Sequence, residues 1–279
     1  MIIVKIFAGL GNQMFHYALG RHSAILNRTE LKLDITGFDN YKFRRYGLNN
    51  YNIKADIATL KEIRKLKTNK LFAKVGFIKR SHIIEKPGVV FDENILKLRG
   101  DYYLDGCWET EKYFRDIEDI IKDDFKVRKE PLGKNKEILD QIINSNSVSI
   151  HIRRGDYLCH PEIYNTFGLE YYQQAAQFIA QKINNPHFFI FSDDMPWVKK
   201  NLKLDFPATY VDQNNDNTNY EDIRLMSLCK HNINANSSFS WWGAWLNKNQ
   251  NKIVISPKKL INLKNFSNKD SIPNSWIRM

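Results

Sequence analysis

Two arginines in succession follow an apolar run in Ser149-Ile150-His151-Ile152-Arg153-Arg154-Gly155-Asp156-Tyr157. A guanidinium offers a planar fork of donors to a diphosphate and stays charged at any working pH. It can also stabilise the negative charge that grows on a departing nucleotide diphosphate. Alternate residues of a strand share a face, so His151 and Arg153 are expected to point one way while Ile150 and Ile152 point into packing. Arg154 is then expected to point elsewhere and pair with Asp156. The bland alternative is a structural arginine–aspartate network, since ion pairs occur without catalysis.

Three further loops carry chemistry-bearing side chains. Gly9-Leu10-Gly11-Asn12-Gln13 is a glycine turn after the first apolar run. Glycine lets backbone approach a ligand, and the following helix offers unpaired N–H groups to an anion. Met14 stands where a dinucleotide fingerprint wants a third small residue, so a nicotinamide or flavin site is disfavoured. Phe189-Ile190-Phe191-Ser192-Asp193-Asp194 runs out into two acids. No Asp-x-Asp occurs anywhere in the chain, and one acidic pair is a thin metal site, so helix capping ahead of Pro196 is the better role. Asn236-Ser237-Ser238-Phe239-Ser240-Trp241-Trp242-Gly243-Ala244-Trp245 gives hydroxyls and orphan N–H groups, an uncharged phosphate cradle. Its tryptophans fit packing better than a stacking platform, with Gly243 admitting close approach of another element.

The elements that must position these loops alternate. Ile2 to Phe7 is β-rich, Gln13 to Asn27 has helical spacing, and Leu31 to Ile35 alternates. Asp56 to Arg80 and Glu111 to Phe125 read as helical. Pro131 and Gly133 among charges mark a breaker, so the two units join within 129–146. Then Ser147 to Ile152, His187 to Phe191, Ala208 to Val211, His231 to Ala235 and Ile253 to Ile255 read as strands. Helices at about Leu169 to Ile183, Tyr220 to Lys230 and Phe239 to Leu246 separate them. This alternation predicts α/β units with parallel sheets covered on both faces, and ligands are expected where the strands end.

Composition leaves the ligand class open. With 42 Lys and Arg against 31 Asp and Glu, the net charge of +11 favours anionic partners. Lys61, Arg64, Lys65, Lys67, Lys70, Lys74, Lys79 and Arg80 face only Glu62; they read as a solvated helix face, the functional alternative being peripheral contact with an acidic membrane. No run approaches the ~18 to 20 apolar residues of a membrane span, and the first apolar stretch is no signal peptide, so a cytoplasmic location is expected. Cys107, Cys159 and Cys229 are odd in number and far apart, and read as reduced, packed thiols. A basic nucleic-acid-binding module is the rival class. It lacks a recognisable motif, and its basic run is not interleaved with aromatic residues.

Taken together, Gly9-Leu10-Gly11-Asn12-Gln13-Met14-Phe15, His151-Ile152-Arg153-Arg154-Gly155-Asp156-Tyr157, Phe191-Ser192-Asp193-Asp194 and Asn236-Ser237-Ser238-Phe239-Ser240-Trp241-Trp242 resemble the α-1,2-fucosyltransferases of glycosyltransferase family 11. The resemblance spans nearly the whole chain. It implies a GT-B-like α/β fold of two facing Rossmann-like domains with a cleft between them, the acceptor-side domain at 1–140 and the donor domain at 141–279. It implies GDP-β-L-fucose as donor, inversion to an α-1,2 link on a galactose-containing glycan, lipid-linked or free, of a surface glycan or its precursor, and no metal or other cofactor. A transferase of this architecture with another nucleotide sugar is the alternative.

By the same resemblance Arg153 grips the β-phosphate and assists departure of GDP. His151 and Asp222 hold the guanine base or its ribose, Ser237 and Ser238 contact phosphate, and Asn12 lies near the transferred sugar. Asp222 is placed only by its distance ahead of Asn-Ser-Ser. His16 and the Cys107-Trp108-Glu109 stretch depart from the commonest family form, which bears on acceptor choice. Asp156, His16 and Asp193 are candidate bases that the sequence does not rank.

Overall fold

Ile2–Lys5 is short and buried on both faces, as expected for the centre of a parallel sheet. In the computed structural model, which describes residues 1–39, 44–67, 81–263 and 266–279, it is strand β1. It is followed by α1 (Leu10–Asn27), β2 (Leu31–Asp34), β3 (Asp56–Ile57), α2 (Leu60–Lys67), β4 (His82–Ile84), α3 (Asn94–Lys97), β5 (Tyr102–Asp105) and α4 (Glu118–Asp124). The strands pair in the order β3-β2-β1-β5-β4, every ladder parallel. The order reverses between β1 and β5. Helix α1 is seated on the sheet through Gly20, where a Cβ would lie 2.8 Å from a Leu31 methyl and 3.0 Å from one of Val4.

A second unit holds α5 (Lys134–Ile143), β6 (Asn146–Ile152), α6 (Leu169–Ala180), β7 (Pro186–Ser192), α7 (Met195–Asn201), β8 (Ala208–Val211), α8 (Asn219–Leu228), β9 (His231–Ile233), α9 (Ser238–Leu246), β10 (Val254–Ser256) and β11 (Ile277–Arg278). Its parallel sheet runs β11-β10-β9-β6-β7-β8. Counted from β6, this is the 3-2-1-4-5-6 order of dinucleotide-binding sheets, with the switch point between β6 and β9. Val148, Ile150 and Ile152 enter a core with Tyr172, Ala175 and Ile179 of α6. On the opposite face Ser149 accepts a 2.7 Å hydrogen bond from Asn232, whose amide also reaches the Met226 carbonyl of α8 at 2.8 Å. Those bonds satisfy polar groups that burial would otherwise penalise.

The first unit comprises Met1–Arg128 with Lys269–Ser271, the second Lys129–Asn268 with Ile272–Met279. The division falls after Arg128, twelve residues ahead of the expected 140, because Ile138 and Ile142 of α5 are wholly buried within the second unit. Several elements also differ from the sequence expectation. Helix α1 begins at Leu10, taking the second glycine into its first turn. Asp56 and Ile57 form an edge strand before α2. Strands β4, β5 and β11 were not anticipated, having too few residues for alternation to show. Of the basic run, Lys61, Arg64, Lys65 and Lys67 lie on α2, with Ile63 and Leu66 turned inward; Lys70, Lys74, Lys79 and Arg80 lie outside the described residues. Lys67 is not merely solvated, since its ammonium meets Asp34 at 3.1 Å. Among the described residues no helix is long and apolar enough to cross a membrane.

Candidate active site

In the second unit the loops after β6, β7 and β9 converge at the switch point. Arg153 leaves β6 and is held from two sides, by Asp156 at 2.7 Å and Asp193 at 3.2 Å. Burial works against its charge, but Asp193, Asp156 and Tyr157 outweigh it and raise the pKa further. Gly155 makes the second contact possible, because a Cβ there would sit 2.8 Å from Asp193 Oδ2. Asp193 also accepts from the Arg154 backbone N–H at 2.9 Å. The Arg154 side chain pairs with Asp194 at 3.3 Å and lies 3.9 Å from the Trp197 ring centroid. The sequence expectation of an Arg154–Asp156 pair is thus corrected. Asp156 lies three residues beyond Arg153 in the tight turn that follows the strand, within reach of that guanidinium, and Trp197 offers Arg154 a cation–π surface.

Tyr157 ties two of the loops together. Its hydroxyl donates to the Asn236 carbonyl at 3.0 Å, and its ring stacks on Tyr164 with centroids 4.1 Å apart. Ser237 then caps α9, accepting from the Phe239 N–H at 3.3 Å. His151, on the Ser149 face of β6, is buried with its ring 5.5 Å from that of Phe239. Burial, then the nearby Arg153 charge, lowers its pKa to about 3, so it is neutral. Its Nδ1 has no hydrogen-bond partner among the described residues. Asp194 caps α7 by accepting from Trp197 N–H, with Pro196 in the first turn. The tryptophans Trp241, Trp242 and Trp245 are buried packing.

In the first unit the corresponding loops follow β1 and β5. Asn12, in the first turn of α1, donates its amide to Glu109 Oε1 at 2.7 Å. Glu85, just past β4, accepts from the backbone N–H of Cys107 at 2.6 Å and of Trp108 at 3.1 Å. Burial and the Glu85 charge push the Glu109 carboxyl up to about 7. Burial, Glu109 and Glu85 raise the Cys107 thiol to about 12, so it stays protonated. Gln13 is structural, bridging the Ala8 and Arg45 carbonyls and the Gly47 N–H. His16 is sealed from solvent, stacked on Phe7 with centroids 4.5 Å apart, and burial lowers its pKa to about 3.

The profile of Glycosyl transferase family 11 matches residues 1–279. The chain belongs to this family. It is 32% identical over 290 residues to an alpha-1,2-colitosyltransferase of Escherichia coli, covering 100% of this chain and 99% of that protein. It is also 32% identical over 304 residues to the O-antigen biosynthesis glycosyltransferase WbnK of Escherichia coli, covering 97% and 98%. Its fold resembles that of NodZ alpha-1,6-fucosyltransferase, crystallised and soaked with GDP-fucose, with TM-score 0.51, 15% identity and coverage of 88% and 92%.

In this family 11 glycosyltransferase, then, Arg153, Asp156 and Asp193 form one cluster, with His151 beside Arg153 and Ser237 on the loop that Tyr157 ties to theirs. Ser238 opens α9. Asp222, on α8, accepts at 2.6 Å from Asn214 of the loop after β8, and the same Asn214 amide reaches Asn135 of α5 at 2.9 Å. Burial and Glu221 raise its pKa to about 7. Asn12 and His16 lie one helical turn apart in the first unit. Cys159 is exposed rather than packed, because it sits in the turn after the arginine loop. Glu109 was not singled out as chemical from sequence. The one available signal was its place in a stretch that departs from the commonest family form.

Proposed function

We propose that the chain transfers L-fucose from GDP-β-L-fucose to the 2-hydroxyl of a galactose in a surface glycan or its precursor, inverting to an α-1,2 link. The observation that carries this reading is Arg153, a half-buried guanidinium fixed by two carboxylates at the switch point of a nucleotide-binding type of sheet. As the sugar–oxygen bond stretches, Arg153 and the N-terminus of α9 take up the charge growing on the diphosphate. His151 and Asp222 are assigned to the nucleoside, Ser237 and Ser238 to phosphate, and Asn12 to the sugar. No step is routed through a metal.

The α-1,2 linkage and O-antigen context are supported by the two Escherichia coli relatives, one named for α-1,2 transfer and the other for O-antigen biosynthesis. The first of them favours a second reading, in which the transferred sugar is colitose. Thermal shifts with GDP, UDP and ADP test the nucleotide, and stabilisation by UDP alone would overturn the donor. Turnover with GDP-fucose and with a colitose donor separates the two sugars. Loss of one preorganised donor costs ~10²- to 10³-fold in rate, so Arg153→Ala should nearly silence transfer. Wild-type turnover by that variant would sink the assignment.

A further inference from the structure

Helix α2 is fixed to the first unit from inside, where Ile63 and Leu66 pack with Ile3, Ala58 and Tyr103. Its start is a capping box: the Thr59 N–H donates to Glu62 Oε2 at 2.8 Å, and the Glu62 N–H donates to the Thr59 hydroxyl at 3.3 Å. Glu62 Oε1 also accepts from Lys32 of β2 at 2.5 Å. The one acid of the helix is thereby engaged on the sheet side. Asp56, on the edge strand β3, bears on the same Lys32.

At about 100° per residue, Leu60, Arg64, Lys61 and Lys65 succeed one another around the arc opposite Ile63 and Leu66. All four are exposed. Lys67 stands apart, paired with Asp34. Leu60 keeps 59% of its surface open to solvent, and Ile57, at the end of β3, keeps 49%. The outward surface thus joins three cations to two apolar side chains on an element that the core holds in place.

We propose that this outward face of α2, together with Ile57, docks the protein on an anionic lipid bilayer. Lys61, Arg64 and Lys65 lie at the level of acidic headgroups, and Leu60 and Ile57 enter the boundary of the acyl chains, as when an amphipathic helix rests in an interface. Charge complementarity selects an anionic surface, and the apolar pair selects lipid over nucleic acid. A phosphate backbone offers nothing to bury Leu60 and Ile57, and α2 has no aromatic side chain on which a base could stack. Docking of this kind is independent of which sugar the protein transfers.

The test is co-sedimentation of the purified full chain with phosphatidylcholine vesicles, without and with about 30% phosphatidylglycerol, at ~0.1 M salt. Binding should require the anionic lipid and weaken as salt rises. The triple change Lys61→Gln, Arg64→Gln and Lys65→Gln should lower the partition about fivefold per residue, on the order of 10²-fold together. Removing the same charge from exposed positions of the second unit, by Lys134→Gln, Lys136→Gln and Lys200→Gln, should change it little. Leu60→Ser should lower the partition about tenfold, with the melting temperature unchanged. No binding to the acidic vesicles, equal binding to neutral ones, or equal loss in the two triple variants overturns the proposal. Wild-type binding by Leu60→Ser overturns it too, and marks the face as one that captures any polyanion, which a DNA duplex displacing the protein from the vesicles would identify.

Discussion

At Arg153 two carboxylates hold one guanidinium, and a glycine holds open the space for one of them. That arrangement makes Gly155 as consequential as the charged groups, because a methyl there would meet Asp193 Oδ2 at 2.8 Å. Gly155→Ala should push Asp193 from Arg153 and misplace the guanidinium, and an error of about 1 Å in a positioned group can cost up to 10²-fold in rate. Steady-state kinetics of the variant, with its melting temperature unchanged, would check this; wild-type kcat would show that Asp193 does not position Arg153. His151, by contrast, should stay neutral across the working range, since its pKa is lowered to about 3 by burial. No limb of the pH–rate profile near pH 6.5, the ordinary histidine value, should therefore respond to His151→Asn.

Helix α9 places the Ser237 cap, and it does so by leaning on α8. The contact passes through Gly243, where a Cβ would lie 2.8 Å from the Met226 Cβ. Both partners are close-packed, and neither backbone can give way cheaply. Gly243→Ala should therefore cost about 1–3 kcal/mol of stability, the usual range for overpacking. Urea unfolding would measure it, and a neutral result would mean that the helices separate freely. Removing the cap with Ser237→Ala should cost about 1 kcal/mol, a smaller effect on stability.

Over the whole molecule the chain crosses between units more than once. Lys269–Ser271 belongs to the first unit although it is flanked by residues of the second. Asp270 anchors it, accepting from the Phe91 N–H at 2.8 Å and meeting Lys112 at 2.6 Å. Burial opposes its charge, but Lys112 and the Phe91 N–H prevail and hold the carboxyl below its ordinary pKa. Its contribution to stability is thus present above the unfolded carboxyl pKa, about 3.9, and is lost as pH falls through the lower folded value. Lys112 is half exposed, so solvent screens that pair. Asp270→Asn should cost about 1 kcal/mol at pH 7, a difference that should vanish in strongly acidic solution; denaturant midpoints at the two pH values would show it.

The arginine loop, a helix cap ahead of Pro196, the helix opening at Asn236-Ser237-Ser238 and the packed tryptophans were legible because each depends on neighbours within a few residues. Strand–helix alternation in the second unit was legible for the same reason, its central strands being seven residues long. The sequence alone thus determined the element types there and the guanidinium that follows β6. Tertiary structure decided which strands lie side by side, and so which loops meet. Strands of two to four residues, β3, β4, β5 and β11 among them, are too short for periodicity to reveal. The Arg153–Asp193 pair spans 40 positions and the Asn12–Glu109 pair has a sequence separation of 97. Those meetings arise from strand order and parallel register, which local composition does not encode, and the Glu109 carboxyl is raised toward neutrality only once burial and Glu85 surround it.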